Sequence, residues 1–132
     1  VHANKKTMFT TPPVFAIYTS LLTLRWIKSE GGLEAMASRA NARASMLYAE
    51  IDRNPLFLGT ARKDSRSLMN ACFLLADESK GAAFEQLAAD AGIIGIKGHR
   101  SVGGYRASMY NALQLDSVKA LVAVMQKLEQ QA

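Results

Sequence analysis

Apolar residues recur at helical spacing in four stretches of the chain, and between them lie four shorter runs of strand length. The first stretch, Val14 to Ile27 (VFAIYTSLLTLRWI), is apolar on nearly every face, a pattern that predicts a helix buried on more than one side. Thr11-Pro12-Pro13 precedes it, with Thr11 expected as N-cap and Pro12 at the first helical position, and Gly31-Gly32 supplies the stop. The second stretch places Leu33, Met36, Ala37, Ala40, Ala44, Leu47, Tyr48 and Ile51 on one face and Glu34, Arg39, Arg43 and Glu50 on the other. It ends near Asp52, because Pro55 cannot continue it. A third helix is expected at about Ser79 to Ala91, burying Phe84, Leu87, Ala88 and Ala91. A fourth runs from about Asp116, with Val118, Leu121, Val122, Met125 and Leu128 inward. The strand candidates are Leu56–Gly59, Leu68–Leu75, Ile93–Ile96 and Tyr105–Met109. In Leu68–Leu75 both alternating faces are largely apolar, which predicts a strand covered on both sides, with Cys72 buried and inert. This order of elements predicts an α+β fold: helices packed on a small, mainly antiparallel sheet.

Composition narrows the picture without naming a function. The chain has 132 residues, 16 Lys+Arg against 11 Asp+Glu, a net charge of +5 and 49% hydrophobic residues. A chain of that size removes about two-thirds of its unfolded surface from water, so residues 1–132 are expected to form a single domain with one core. No apolar run reaches the roughly 20 residues of a membrane span, and the mild positive charge falls short of a dedicated nucleic-acid binder. Neither a membrane nor a nucleic acid is therefore expected as a partner. The lone Cys72 predicts a reducing, cytoplasmic setting. The start at Val1, without an initiator Met, gives the expectation that the chain is part of something longer.

The chemistry-bearing segment is Gly95-Ile-Lys-Gly-His-Arg-Ser-Val-Gly-Gly-Tyr-Arg106. No acid occurs between Asp90 and Asp116, while Lys97, His99, Arg100 and Arg106 all fall there. Gly95, Gly98, Gly103 and Gly104 allow close backbone approach to a ligand, and guanidinium groups fork onto carboxylate or phosphate oxygens. Two arginines flanking a glycine pair could grip two anionic ends of one small molecule. Equally, the segment could be a solvated basic loop or pair with acids elsewhere in the fold. Gly95-Ile-Lys-Gly98 matches the GXXG of a KH module, but Ser101-Val-Gly-Gly104 makes a poor start for the helix that must follow. A phosphate-binding P-loop is excluded because Gly103 is followed by Gly-Tyr. His2 and His99 are too far apart in sequence to suggest a metal site, and none is expected.

Three blocks carry a family resemblance: Met8-Phe-Thr-Thr-Pro-Pro-Val-Phe-Ala-Ile-Tyr18, Asp64-Ser-Arg-Ser-Leu-Met-Asn70, and Gly95 to Ala112 with its KGHRSVGGYRAS core. In order and spacing they resemble the C-terminal part of the phosphoserine aminotransferases. The resemblance implies the small C-terminal domain of the aspartate-aminotransferase fold, in an enzyme using pyridoxal 5'-phosphate, with the large N-terminal cofactor-binding domain absent from this chain. It implies a homodimer with shared active sites that exchanges an amino group between glutamate and 3-phosphohydroxypyruvate, forming phosphoserine in serine biosynthesis and serving pyridoxine biosynthesis in many bacteria. By motif position, Arg106 would hold the substrate α-carboxylate, while His99 and Arg100 would face the phosphate or side-chain carboxylate. Thr10 and Thr11 would reach the cofactor phosphate of the neighbouring subunit. Thr10 stands where the family has Asn, with shorter reach and fewer donors.

The same resemblance implies that the covalent anchor lysine, the acid on the pyridinium nitrogen and the stacked aromatic lie outside this chain, since its eight lysines match none of those motifs. No catalytic residue is then expected here, and the chain alone, an expressed piece or a cleavage product, should be inactive. Two alternatives remain open at this stage. One is a phosphorylated-metabolite or RNA binding module using the Gly95–Gly104 loop, and the other an interaction domain that self-associates through the apolar first helix.

Overall fold

The structure is a computed structural model and describes Asn4 and residues 10–131; His2, Met8 and Phe9 lie outside the described residues. The backbone divides into two compact units, residues 1–36 and 37–132.

In the first unit, helix α1 spans Val14–Ser29. It begins two residues later than the Thr-Pro-Pro signal predicts. A residue followed by proline is pushed out of the helical region, so Pro12 cannot be the first helical residue. Instead Pro13, at φ −75° and ψ 74°, forms an inverse γ-turn closed by the Val14 N–H on the Pro12 carbonyl at 2.8 Å. The Pro13 carbonyl then accepts from the Ile17 N–H at 3.1 Å, and Thr11 makes no capping bond. The expectation of a buried α1 fails as well. None of its residues is buried, and Phe15 and Leu24 are 83% and 64% exposed. The Thr19, Ser20 and Thr23 hydroxyls donate to carbonyls one turn back, so they add little polar demand to this face. Gly31 and Gly32, at φ 99° and 75°, end α1 and open α2, which spans Gly32–Arg53.

The second unit packs α2 from Ala37 onward, α3 (Gly81–Asp90) and α4 (Leu115–Gln130) on one face of a sheet of β1 (Phe57–Gly59), β2 (Asn70–Leu75) and β3 (Tyr105–Ser108). The sheet order is β1-β2-β3, antiparallel throughout, which is the α+β arrangement the sequence predicts. Strand alternation sends Phe57, Ala71, Phe73, Leu75, Tyr105 and Ala107 into the core. There Phe84 of α3 meets Phe57 and Tyr105 edge-on, with ring centroids 5.4 and 4.8 Å apart. None of the described helices of this unit covers the opposite face. Leu58 pairs with Leu74, Cys72 with Arg106 and Asn70 with Ser108, and all of these except the half-buried Asn70 are exposed. The two-sided covering predicted for β2 is thus replaced by one-sided covering, and Cys72 is an exposed free thiol.

Two further differences have local causes. The Ile93–Ile96 run forms no strand. Gly92 and Ile93 cap α3 in a Schellman motif, donating to the Ala89 and Ala88 carbonyls at 2.9 Å each, and Gly95 at φ 69° turns the chain before Ile96 enters the core. Arg43 and Glu50, expected on the wet side of α2, are buried where the chain around α4 covers them. Arg43 donates to the Leu113 carbonyl at 2.9 Å, while Glu50 accepts from Arg53, Asn54 and Gln126.

Candidate anion-binding site

The basic segment folds as a hairpin that extends the sheet beyond β3. Lys97 bridges to Tyr105, the Gly98 N–H donates to the Gly104 carbonyl at 2.8 Å, and the Arg106 N–H donates to the Ile96 carbonyl at 2.7 Å. The tip turns through Val102 and Gly103, whose N–H groups both donate to the His99 carbonyl at 2.9 and 2.8 Å. Two glycines make this path possible. Gly103 sits at φ 77°, where residues with a Cβ are strained. Gly98 has an ordinary φ, but a Cβ there would land inside the van der Waals shell of the Gly103 carbonyl oxygen. Because a hairpin follows the GXXG tetrapeptide instead of a helix, the KH geometry is absent here.

His99 and Arg100 project from the tip, both exposed. The Ser101 hydroxyl lies 2.7 Å from His99 Nδ1, and the Ser101 backbone N–H donates to the same nitrogen at 3.3 Å. An N–H donor on Nδ1 requires that nitrogen to be an acceptor, so in the neutral ring Nε2 carries the proton and can donate to an oxygen anion. Neither Arg100 nor Arg106 enters an ion pair among the described residues. Lys97 does: its Nζ is 2.8 Å from a Glu85 carboxylate oxygen on α3. Burial, then the same Glu85 carboxylate, pushes the Tyr105 phenol pKa up.

Lys97, His99 and Arg100 line one groove of about 550 Å³ together with Glu78, Ala82 and Glu85. Arg106 lines a different cavity, of about 530 Å³, with Ile93, Ser108 and Ser117. Strand alternation turns Tyr105 to the core and its exposed neighbour Arg106 to the other side of β3, cross-strand from Cys72. His99 and Arg100 thus line one groove, and Arg106, at the base of the same hairpin, lines the other. Thr10 and Thr11 are exposed ahead of α1 in the first unit. Arg66, from the second motif block, forks onto Asp52 at 2.6 and 2.9 Å and stacks 4.5 Å over the Tyr48 ring, a structural use that leaves it covered. Sequence spacing gave no sign of Glu85. It lies 12 positions before Lys97 on another element, and only the packing of α3 beside the hairpin joins them. Among the described residues no group of three or more His, Cys, Asp or Glu side chains is placed to hold a metal ion, and no helix is long and apolar enough to cross a membrane.

A glycine-built hairpin carrying two arginines free of ion pairs among the described residues, on a small α+β unit, defines a domain that presents cations from a sheet edge. Residues 1–121 match the model of the class-V aminotransferases, and the chain belongs to that family. Its particular relatives are phosphoserine aminotransferases. It is 57% identical over 130 residues to that of Bacteroides thetaiotaomicron, covering 97% of this chain and 37% of the relative. Among solved structures it is similar to a phosphoserine aminotransferase examined for radiation damage at its Schiff base, with a TM-score of 0.90 and 42% identity, covering 99% of this chain and 37% of that one. A pyridoxal-phosphate-bound phosphoserine aminotransferase from Trichomonas vaginalis matches with a TM-score of 0.83 and 37% identity, covering 95% of this chain and 36% of that one. The chain thus spans a little over a third of the length of the relatives it matches. None of the three is named as an RNA-binding or free-standing metabolite-binding protein, so the binding-module alternative gains no support from them.

Proposed function

We propose that this chain is the C-terminal small domain of a pyridoxal-phosphate-dependent phosphoserine aminotransferase, which moves an amino group between glutamate and 3-phosphohydroxypyruvate in serine biosynthesis. In this reading the whole protein is a cytoplasmic homodimer, contributes also to pyridoxine biosynthesis, and has a large N-terminal domain that holds the cofactor. The observation that carries the reading is the hairpin: His99 and Arg100 line one groove while the one lysine beside them is ion-paired with Glu85.

The residues present fit one end of the cofactor. Thr10 and Thr11 are exposed, Thr11 is free of capping duty, and the amino end of α1 that follows favours a phosphate. The cofactor, when bound, supplies the electron sink that amino-group exchange requires. This chain's share is binding and orientation. Arg106 forks onto the α-carboxylate common to both amino-acid substrates, and a bidentate grip fixes the angle at which the reacting carbon is presented. His99, through Nε2, and Arg100 hold the distal phosphate of phosphoserine or the side-chain carboxylate of glutamate.

In the full-length enzyme, Arg106→Ala should raise KM for both phosphoserine and glutamate, whereas Arg100→Ala should hurt the phosphorylated substrate most. Equal losses for both variants on every substrate would undo the assignment of ends. The 132-residue chain supplied with pyridoxal phosphate should show no turnover of phosphoserine with 2-oxoglutarate. Turnover there would mean that the chain is more than a binding domain.

A further inference from the structure

The groove that holds His99 and Arg100 has an acidic wall. Glu78 and Glu85 line it from the α3 side, and Lys97, His99 and Arg100 line it from the hairpin side. The Lys97 ammonium is 2.8 Å from Glu85, and the Tyr105 phenol, cross-strand from Lys97, is pushed up by burial and then by the same carboxylate. Lys97 is therefore pulled toward α3, although sequence position alone would count it with the other cations of the loop. We infer that Glu85 is a specificity-determining residue of this groove: it takes Lys97 out of the anion contact, so that of the three hairpin side chains His99 and Arg100 are the ones left to meet a phosphate. The inference rests on the reading of the hairpin as a phosphate subsite and adds a residue from outside it. The closed ion pair keeps the groove's charge low. A bare Lys97 there would attract any anion, because an ammonium is a point charge without the planar fork by which Arg100 selects geometry.

The test uses the 132-residue chain, with inorganic phosphate titrated at constant low ionic strength and the backbone amide signals of residues 98–104 followed by NMR. Glu85→Gln keeps an acceptor of the same shape and removes only the charge, freeing Lys97; phosphate should bind about threefold more tightly, the scale of an exposed charge contact. Lys97→Ala leaves Glu85 bare and should weaken binding by a similar factor. The double variant Glu85→Gln/Lys97→Ala removes the pair as a unit and should bind phosphate as the unsubstituted chain does. A double variant as weak as Lys97→Ala alone, or a Glu85→Gln variant that gains nothing, would show that Lys97 is itself a contact or that Glu85 does not restrain it, and would overturn the assignment while leaving the phosphate subsite standing. No response of the hairpin amides in the unsubstituted chain, or a response that Arg100→Ala leaves unchanged, would overturn the subsite reading and this inference with it.

Discussion

Gly98 and Gly103 are both required by the hairpin, for opposite reasons, and substituting each by alanine separates them. At Gly98 the backbone is unstrained but there is no room: a Cβ would collide with the Gly103 carbonyl oxygen and stand 3.1 Å from that of Gly104. Those are backbone atoms, so relief requires the two arms of the hairpin to part. Parting endangers the Gly98–Gly104 bond at 2.8 Å and the Gly103–His99 bond at 2.8 Å. At about 0.5–1.5 kcal/mol net each, their loss costs about 1–3 kcal/mol. At Gly103 the position is open, with nothing within 4 Å of an added Cβ, and the cost is only that of holding alanine at φ 77°, about 1 kcal/mol. Urea unfolding of the chain should therefore rank Gly98→Ala as more damaging than Gly103→Ala. Gly103→Asn should be milder still, because Asn tolerates the left-handed region. Hydrogen exchange gives a local check: the Gly98 and Gly103 amides should lose protection in Gly98→Ala and largely keep it in Gly103→Asn. If Gly98→Ala left the unfolding free energy within about 0.5 kcal/mol of the parent and kept the Gly98 amide protected, the close approach would be refuted, and with it the geometry that presents His99 and Arg100.

Other expectations follow from the core and the surface. Phe84 is fully buried against Phe57, Phe73 and Tyr105, so Phe84→Ala should cost about 3–5 kcal/mol in denaturant unfolding, and a loss below 1 kcal/mol would contradict the packing. Hydrogen bonds from Arg66 hold the Asp52 carboxyl below the usual range; burial pushes the other way, and the Arg66 charge and then Lys63 add to the lowering. The folded pKa is thus below the unfolded one, so this contribution is complete above about pH 4 and is lost as pH falls through the folded value. Asp52→Asn should make the acid-side loss of stability shallower below about pH 4, and an unchanged slope would remove Asp52 from the account. Cys72 is exposed on the helix-free sheet face and should react with an aromatic disulfide reagent in native buffer; a thiol that reacted only after denaturation would return it to the core.

The helices of the second unit were legible because each has one wet face. Leu47 and Ile51 of α2, Phe84 and Ala88 of α3, and Leu121, Met125 and Leu128 of α4 fall on the face that the 3.6 period marks, and all are buried. The run before Lys97 was misread because a short apolar stretch looks the same whether it pairs or caps. Ile93 completes the end of α3, and the turn at Gly95 separates it from Ile96. Thr11 was misread because the Pro-Pro pair, not the hydroxyl, sets where α1 can begin. Of the candidate site, the cationic residues and their glycines were visible as composition. Two parts of the geometry had no local signal: the opposite facing of Tyr105 and Arg106, set by which side of the sheet the helices cover, and the engagement of Lys97 by Glu85 across an intervening helix end.

The failed burial expectations share one cause. Hydrophobic periodicity reports which side chains gain by leaving water, not which chain supplies the cover. Leu58 and Leu74 face each other across β1 and β2 at 51% and 38% exposure, and seven large apolar residues of α1 stand in water. Arg106 shares the uncovered sheet face with the two leucines, so whatever dries them also lowers the dielectric around its guanidinium. A carboxylate held by Arg106 would then gain more than it does in open solvent, where an exposed pair is worth about 1 kcal/mol or less. This is the physical reason to expect Arg106 to bind weakly in the 132-residue chain and strongly once the sheet face is covered. If the isolated chain held a simple α-carboxylate such as glutamate as tightly as the full-length enzyme does, the covering of that face would contribute nothing, and the proposed division of labour between the two domains would fall.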